Sequence, residues 1–187
     1  MKNQGVCGAC WAFAATATCE SWALFNSKTY DLSEQQLVDC SGSYGNKGCN
    51  GGWPASALQY IIDKGLSLES EYPYVAKQQT SCKKNNGTFK ISAYVTVNNS
   101  CSALTTSIAV QPIAVTVDAT NWSKYSSGVF SNCSTSINHA VLLVGIVSSN
   151  WKIKNSWGGS WGENGYIRLG SGNTCGLCLY KSTYPKS

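Results

Sequence analysis

The chain has 187 residues, with 14 Lys or Arg against 9 Asp or Glu, one His and a net charge of +5. Hydrophobic residues make up 43% and charged residues only 12%, which excludes a disordered polyelectrolyte and a Glu/Lys-rich coiled coil. The positive balance reflects few acids: Lys83-Lys84 is the only basic doublet and Arg168 the only Arg, so the clustered cations of a nucleic-acid reader are missing. The length fits one domain, or two small lobes sharing a core.

Trp11 to Asn26 reads as a long, mostly apolar helix suited to burial on several sides. Ser33-Glu34-Gln35-Gln36 is a capping box that starts a short helix. Ser41 to Gly52 is dense in Gly, Ser and Asn and is loop. Pro54 to Lys64 is a third helix, with Pro at its first position and Gly65 past its end. After about residue 90 the pattern turns strand-like, at Ile113 to Val117, Gly128 to Phe130, Ala140 to Val147, Trp151 to Lys154 and Tyr166 to Leu169. A helical first half and a stranded second half predict an α+β fold, with the site in the cleft between two lobes.

Ten cysteines point to a secreted, lysosomal or surface location. Four N-x-S/T sequons, at Asn86, Asn98, Asn121 and Asn132, agree. The longest apolar run, Ala140 to Val147, falls far short of the ~20 residues that cross a bilayer, so no membrane partner is expected. No signal peptide is visible, which places any targeting segment upstream.

The sharpest local signal is Gln4-Gly5-Val6-Cys7-Gly8-Ala9-Cys10-Trp11, ahead of the first helix. A Cys at a helix N-terminus feels the positive end of the dipole, which favours the thiolate. Cys7 and Cys10 can be a redox C-x-x-C pair, although no strand precedes them. They can be two ordinary disulfide cysteines, or Cys10 can be a nucleophile served by a distant His. His139, the only His, lies in Ile137-Asn138-His139-Ala140-Val141; a lone His beside an apolar strand is more often structural. Asn155 opens Asn155-Ser156-Trp157-Gly158, where an Asn before Gly is most often a turn former.

Together these segments resemble the papain family of cysteine proteases along essentially the whole chain. His139 and Asn155 follow Cys10 by 129 and 145 positions. Leu32 to Cys40, Gly48-Cys49-Asn50-Gly51-Gly52 and the Asn155 to Tyr166 run match in the same order. The resemblance implies a cysteine endopeptidase that works through a thiolate–imidazolium pair and a thioester. It implies a helical left lobe over about 1–92 and a β-barrel-like right lobe, built on a strongly bent antiparallel sheet, over about 93–187. Cys10 would be the nucleophile, His139 its acid–base partner, Asn155 the orienting group, and Trp157 a shield over the His–Asn bond. The Gln4 amide and the Cys10 backbone N–H would form the oxyanion hole, and Gly51 and Gly52 would bind substrate backbone. The pocket for the side chain two before the scissile bond would be lined by Trp53, Pro54, Ala55, Thr116, Ile137 and Asn138, with Tyr180 closing it. Tyr180 is counted five residues from Cys175, in a tail one residue longer than usual before Tyr184-Pro185. The expected preference is apolar, with Arg disfavoured.

The resemblance also pairs Cys7 with Cys49, Cys40 with Cys82 and Cys133 with Cys175. Cys19, Cys101 and Cys178 are left over and match no usual family position; three is odd, so at least one is unpaired within the chain, and the options include Cys19 as a buried thiol and Cys101 paired with Cys178. Polypeptide substrates, an inhibitory propeptide and cystatin-like inhibitors are the implied partners of a monomer that is secreted, lysosomal or vacuolar. Metal and cofactor are not expected. A carboxypeptidase that grips the substrate carboxylate with an extra His is disfavoured, since there is no second His. The chain opens three residues before Gln4, so it is expected to be shortened relative to the native protein. The rival is a catalytically weak or inactive binding or storage protein on the same fold; the joint presence of Gln4, Cys10, His139 and Asn155 argues against it.

Overall fold

The computed structural model describes residues 1–186. Helices α1 (Cys10–Phe25), α2 (Glu34–Cys40) and α3 (Pro54–Lys64) come first. Strand β1 (Ala93–Val97) and helix α4 (Cys101–Ile108) follow. Strands β2 (Ile113–Val117), β3 (Val129–Phe130), β4 (His139–Val147), β5 (Asn150–Lys154), β6 (Tyr166–Leu169) and β7 (Ser182–Lys186) complete the chain. Among the described residues, no helix is long and apolar enough to cross a membrane.

The seven strands form one sheet in the order β1-β7-β2-β4-β5-β6-β3. Every pair is antiparallel except β3 with β6. The expected barrel-like right lobe is therefore corrected to an open sheet, with β1 and β3 at its edges and one parallel pair. A register shift between Leu143 and Gly145 marks an irregularity in the β4–β5 ladder.

α1 is buried around most of its circumference because small residues let neighbours approach. Ala12, Ala15, Cys19 and Ala23 have no exposed surface. Trp11, also fully buried, donates its indole N–H to Gly48 O at 3.2 Å. Burying such a side chain contributes roughly 1.5–3 kcal/mol, and the hydrogen bond leaves its one polar atom satisfied. α1 packs on α2, α3, β2, β4 and β7.

The predicted capping box at α2 closes on one side only. Ser33 Oγ accepts from Gln36 N at 3.0 Å. The Gln36 side chain does not return to Ser33 but accepts from Ser67 N and donates to Tyr60 Oη. At α3, Pro54 fills the first turn and Gly65 ends the helix at φ +78°, where a Cβ would meet Gly87 O at 2.4 Å.

Two apolar clusters result. One joins the three helices to Leu66, Phe89 and Ile91, and it takes in Ala114 and Ala140 from the sheet. The other gathers Val115, Val117, Leu143, Ile153, Ile167 and Trp122 on the opposite face of the sheet. All five residues of β2 are buried because this strand separates the two clusters. Four disulfides join Cys7 to Cys49, Cys40 to Cys82, Cys101 to Cys178 and Cys133 to Cys175, and Cys19 is a buried free thiol.

Candidate active site

Cys10 is the first residue of α1 and is half-buried with a free thiol. The turn before it is held by the Cys7–Cys49 disulfide and by Gly8 N donating to Cys49 O at 3.0 Å. Burial pushes the Cys10 thiol up, while the backbone amides of Ala140, Trp11 and Cys10 itself pull it back. The Ala140 contact brings the sulfur to the start of β4, one residue from His139.

His139 opens β4 and is 7% exposed. Its Nε2–H donates to Asn155 Oδ1 at 2.8 Å, which fixes the tautomer and leaves Nδ1 as the nitrogen available to the thiol. Burial pushes the imidazole down to about 4, and the bond to Asn155 pulls the other way. Trp157 lies 5.1 Å from the His139 ring, centroid to centroid, and Trp122 meets the ring edge-on at 6.0 Å. The His–Asn bond is buried, and a buried bond is electrostatically stronger than an exposed one.

Asn155 follows β5, and its backbone N–H is tied to Gly165 O at 3.0 Å. Its Oδ1 also accepts from Ser156 N at 2.8 Å. Gln4 sits on the N-terminal segment, which pairs with the same loop through Gln4 N to Ser156 O and an Asn3–Trp157 bridge. Gln4 Nε2 donates one hydrogen to Cys7 O at 3.0 Å, leaving its second hydrogen unused.

Lys2 holds this N-terminal segment down. Its ammonium contacts Glu34 at 2.8 Å, Asp31 at 2.8 Å and Glu20 at 3.1 Å, and donates to Leu32 O. Burial pushes Glu34 up to about 7, against the pull of Lys2 and Thr16. No local motif marks this cluster, because its acids lie 18 to 32 positions from Lys2.

Gly51 has open space where a Cβ would stand, so its φ of +106°, and not crowding, is what favours glycine there. Gly52 is needed for space instead, since a Cβ there would strike the Trp11 ring and Asn46 Oδ1.

The neighbouring shallow pocket is lined by Trp53, Pro54, Ala55, Ala114, Thr116, Lys181 and Thr183. Four of the expected lining residues are thus brought together. Ile137, Asn138 and Tyr180 lie outside these walls. Ile137 points at Gly176. Asn138 bonds Ala119 N and Thr120 Oγ1. Tyr180, 48% exposed, leans on Trp53 with ring centroids 6.4 Å apart. Lys181, one position beyond the count of five from Cys175, stands in the wall where Tyr180 was expected.

A family profile described as papain family cysteine protease matches residues 1–184. Cathepsin L 2 of Paramecium tetraurelia is 48% identical over 184 residues, covering 97% of this chain and 59% of the relative. The chain spans about three fifths of the length of the curated relatives it matches. Among solved structures, a Carica candamarcensis cysteine protease in complex with E-64 superposes with a TM-score of 0.92 at 39% identity, covering 100% of this chain and 92% of that one. Digestive procathepsin L 3 from Tenebrio molitor larval midgut gives 0.91 at 39% identity, covering 100% and 66%.

Proposed function

Because the chain belongs to the papain family of cysteine proteases, we propose that it hydrolyses internal peptide bonds, with Cys10 as nucleophile. The observation that carries this reading is the meeting of a free thiol at the start of α1 with the start of β4, where His139 is held by Asn155 at 2.8 Å.

The Cys10 proton passes to His139 Nδ1, and the sulfur attacks the carbonyl carbon. The carbonyl electron pair moves to oxygen, where the free Gln4 Nε2–H and the Cys10 backbone N–H donate. Collapse breaks the C–N bond, and the amine leaves with the proton from His139. Water then attacks the thioester, giving His139 a proton and releasing the acid and the Cys10 sulfur. Asn155 keeps the imidazole in one tautomer throughout, and Trp157 covers that bond. Gly51 and Gly52 present backbone to the substrate strand.

The walls formed by Trp53, Pro54, Ala55 and Thr116 favour Val, Leu or Pro two residues before the scissile bond. No acid lines this pocket, so an Arg there loses its solvation without a partner. Four disulfides support a secreted, lysosomal or vacuolar setting. The likeness to a procathepsin supports an inhibitory propeptide as a partner, and family membership supports cystatin-like inhibitors and a monomeric enzyme.

Iodoacetamide or an epoxide should label Cys10, as located by peptide mapping, and abolish peptide turnover, with Cys19 unlabelled. Turnover that survives stoichiometric labelling of Cys10 would remove it from the mechanism.

A further inference from the structure

Resting on the protease reading above, we infer that Lys181 makes the pocket beside Trp53 accept an acidic side chain, Glu in particular, two residues before the scissile bond. Lys181 immediately precedes β7 and is exposed, and it lines the pocket directly. It makes no ion pair or hydrogen bond among the described residues. The other walls carry no charge: Trp53, Pro54, Ala55 and Ala114 are apolar, and Thr116 and Thr183 are neutral. An uncompensated cation at the mouth of an apolar pocket selects for a ligand with an apolar stem and an anionic tip.

The pocket is coupled to the reacting groups through β2 and β4. Thr116 in its wall pairs directly with Ala140, whose amide faces the Cys10 sulfur. A side chain seated against Thr116 therefore lies one strand pairing away from the residue that contacts the Cys10 sulfur. The two methylenes of Glu lie along Pro54 and Ala55, and its carboxylate meets the Lys181 ammonium. Gln has the same shape without the charge, so the Glu-to-Gln ratio isolates the electrostatic part. Arg brings a second cation to a site that already holds one and is repelled.

Four fluorogenic peptides, identical except for Leu, Gln, Glu or Arg at this position, test the assignment. Glu should exceed Gln in kcat/KM by about fivefold, the upper end for a solvent-exposed ion pair, and Arg should be poorest. In Lys181→Ala the ratio should fall to about one. In Lys181→Glu it should fall below one, with Arg rising above Gln. In the unmodified protein, raising NaCl from about 50 to about 500 mM should shrink the ratio, because salt screens an exposed pair; this arm does not depend on how either variant folds. Leu turned over with Glu no better than Gln overturns the role of Lys181 alone. No turnover of any peptide, with no labelling of Cys10, overturns the protease reading and this inference together.

Discussion

Ser156 and Gln4 are tied twice across 152 positions of sequence: Ser156 Oγ donates to Gln4 Oε1 at 2.7 Å, and Gln4 N donates to Ser156 O at 2.8 Å. The first bond decides which way the Gln4 amide points. With its oxygen held by Ser156, its nitrogen must face Cys7 O and the Cys10 side. A residue three positions from the start of the chain thereby takes its orientation from the loop that carries Asn155.

Gln4→Ala should lower kcat by roughly 10²–10³, as expected for losing one oxyanion donor. Cys10 should still react with iodoacetamide at a near-normal rate, since the thiol is untouched. Ser156→Ala should give a smaller loss in kcat, because the amide is freed and not removed. Normal kcat in Gln4→Ala would identify another donor.

On the proposed mechanism, Cys10 and His139 ionise as a pair. Burial raises the thiol and lowers the imidazole, so neither charge is favoured alone. Moving one proton between them creates both charges at once, each offsetting the desolvation of the other, beside the positive end of α1. The alkylation rate of Cys10 should therefore be substantial below pH ~8.5, the ordinary thiol range, and kcat/KM should be bell-shaped with both limbs belonging to the pair. His139→Ala should return alkylation to a simple rise with pH. The same simple rise in the unmodified protein would rule the pair out. Asn155→Ala should cost less than loss of the His, whose acid–base part is worth about 10²–10⁴.

Asp118 and Glu163 make the stability of the fold depend on pH in the acid range. Asp118 is held down to about 2 by Ser134 and Thr120, which donate to its two oxygens. Glu163 is held down to about 2 by Arg168, at 2.6 and 2.9 Å, and by Gly128 N. Unfolded carboxylates titrate near 4. Because the folded values are lower, the stabilisation is complete above that range and is lost as pH falls toward 2. Asp118→Asn should lower the melting temperature by a constant amount between about pH 5 and pH 7, and the difference should narrow below about pH 4. A difference that widens in acid would contradict the assignment.

The Cys101–Cys178 bridge closes a loop of 77 positions. In the chain-entropy account a loop of that size is worth about 4 kcal/mol. At roughly 2–4 °C per kcal/mol for a chain of this length, replacing both cysteines by Ser should lower the melting temperature by roughly 10 °C. An unchanged melting curve would mean the bridge does not constrain the unfolded chain.

Elements with strong local chemistry were legible in the sequence. α1 was readable from a mostly apolar stretch, α3 from Pro54 and Gly65, and β6 from its bounding turns, because each signal lies within or beside the element. α4 was not, since Ser, Thr and Ile in Cys101–Ile108 suit a strand as well as a helix, and only the Ser100 cap, accepting from Ala103 N at 3.1 Å, tips the balance. β7 was masked by Pro185. That proline is tolerated because β7 meets β2 at one residue pair, Ala114 with Thr183, and pairs along its length only with β1. For the site, motif spacing brought out the residues around Cys10, His139 and Asn155. It was silent on Trp122 and on the Lys2 cluster, which only the folded chain assembles.

The cross-links have a consequence for the connectivity of the molecule. Cys7–Cys49 and Cys40–Cys82 interleave, and Cys133–Cys175 is nested inside Cys101–Cys178. Among the described residues, no bridge joins a residue before position 83 to one after position 100. A single backbone cut anywhere in that interval would leave two fragments with no covalent bond between them. They would migrate separately on a denaturing gel without reductant, whereas a cut inside any of the bridged loops would stay hidden until reductant was added.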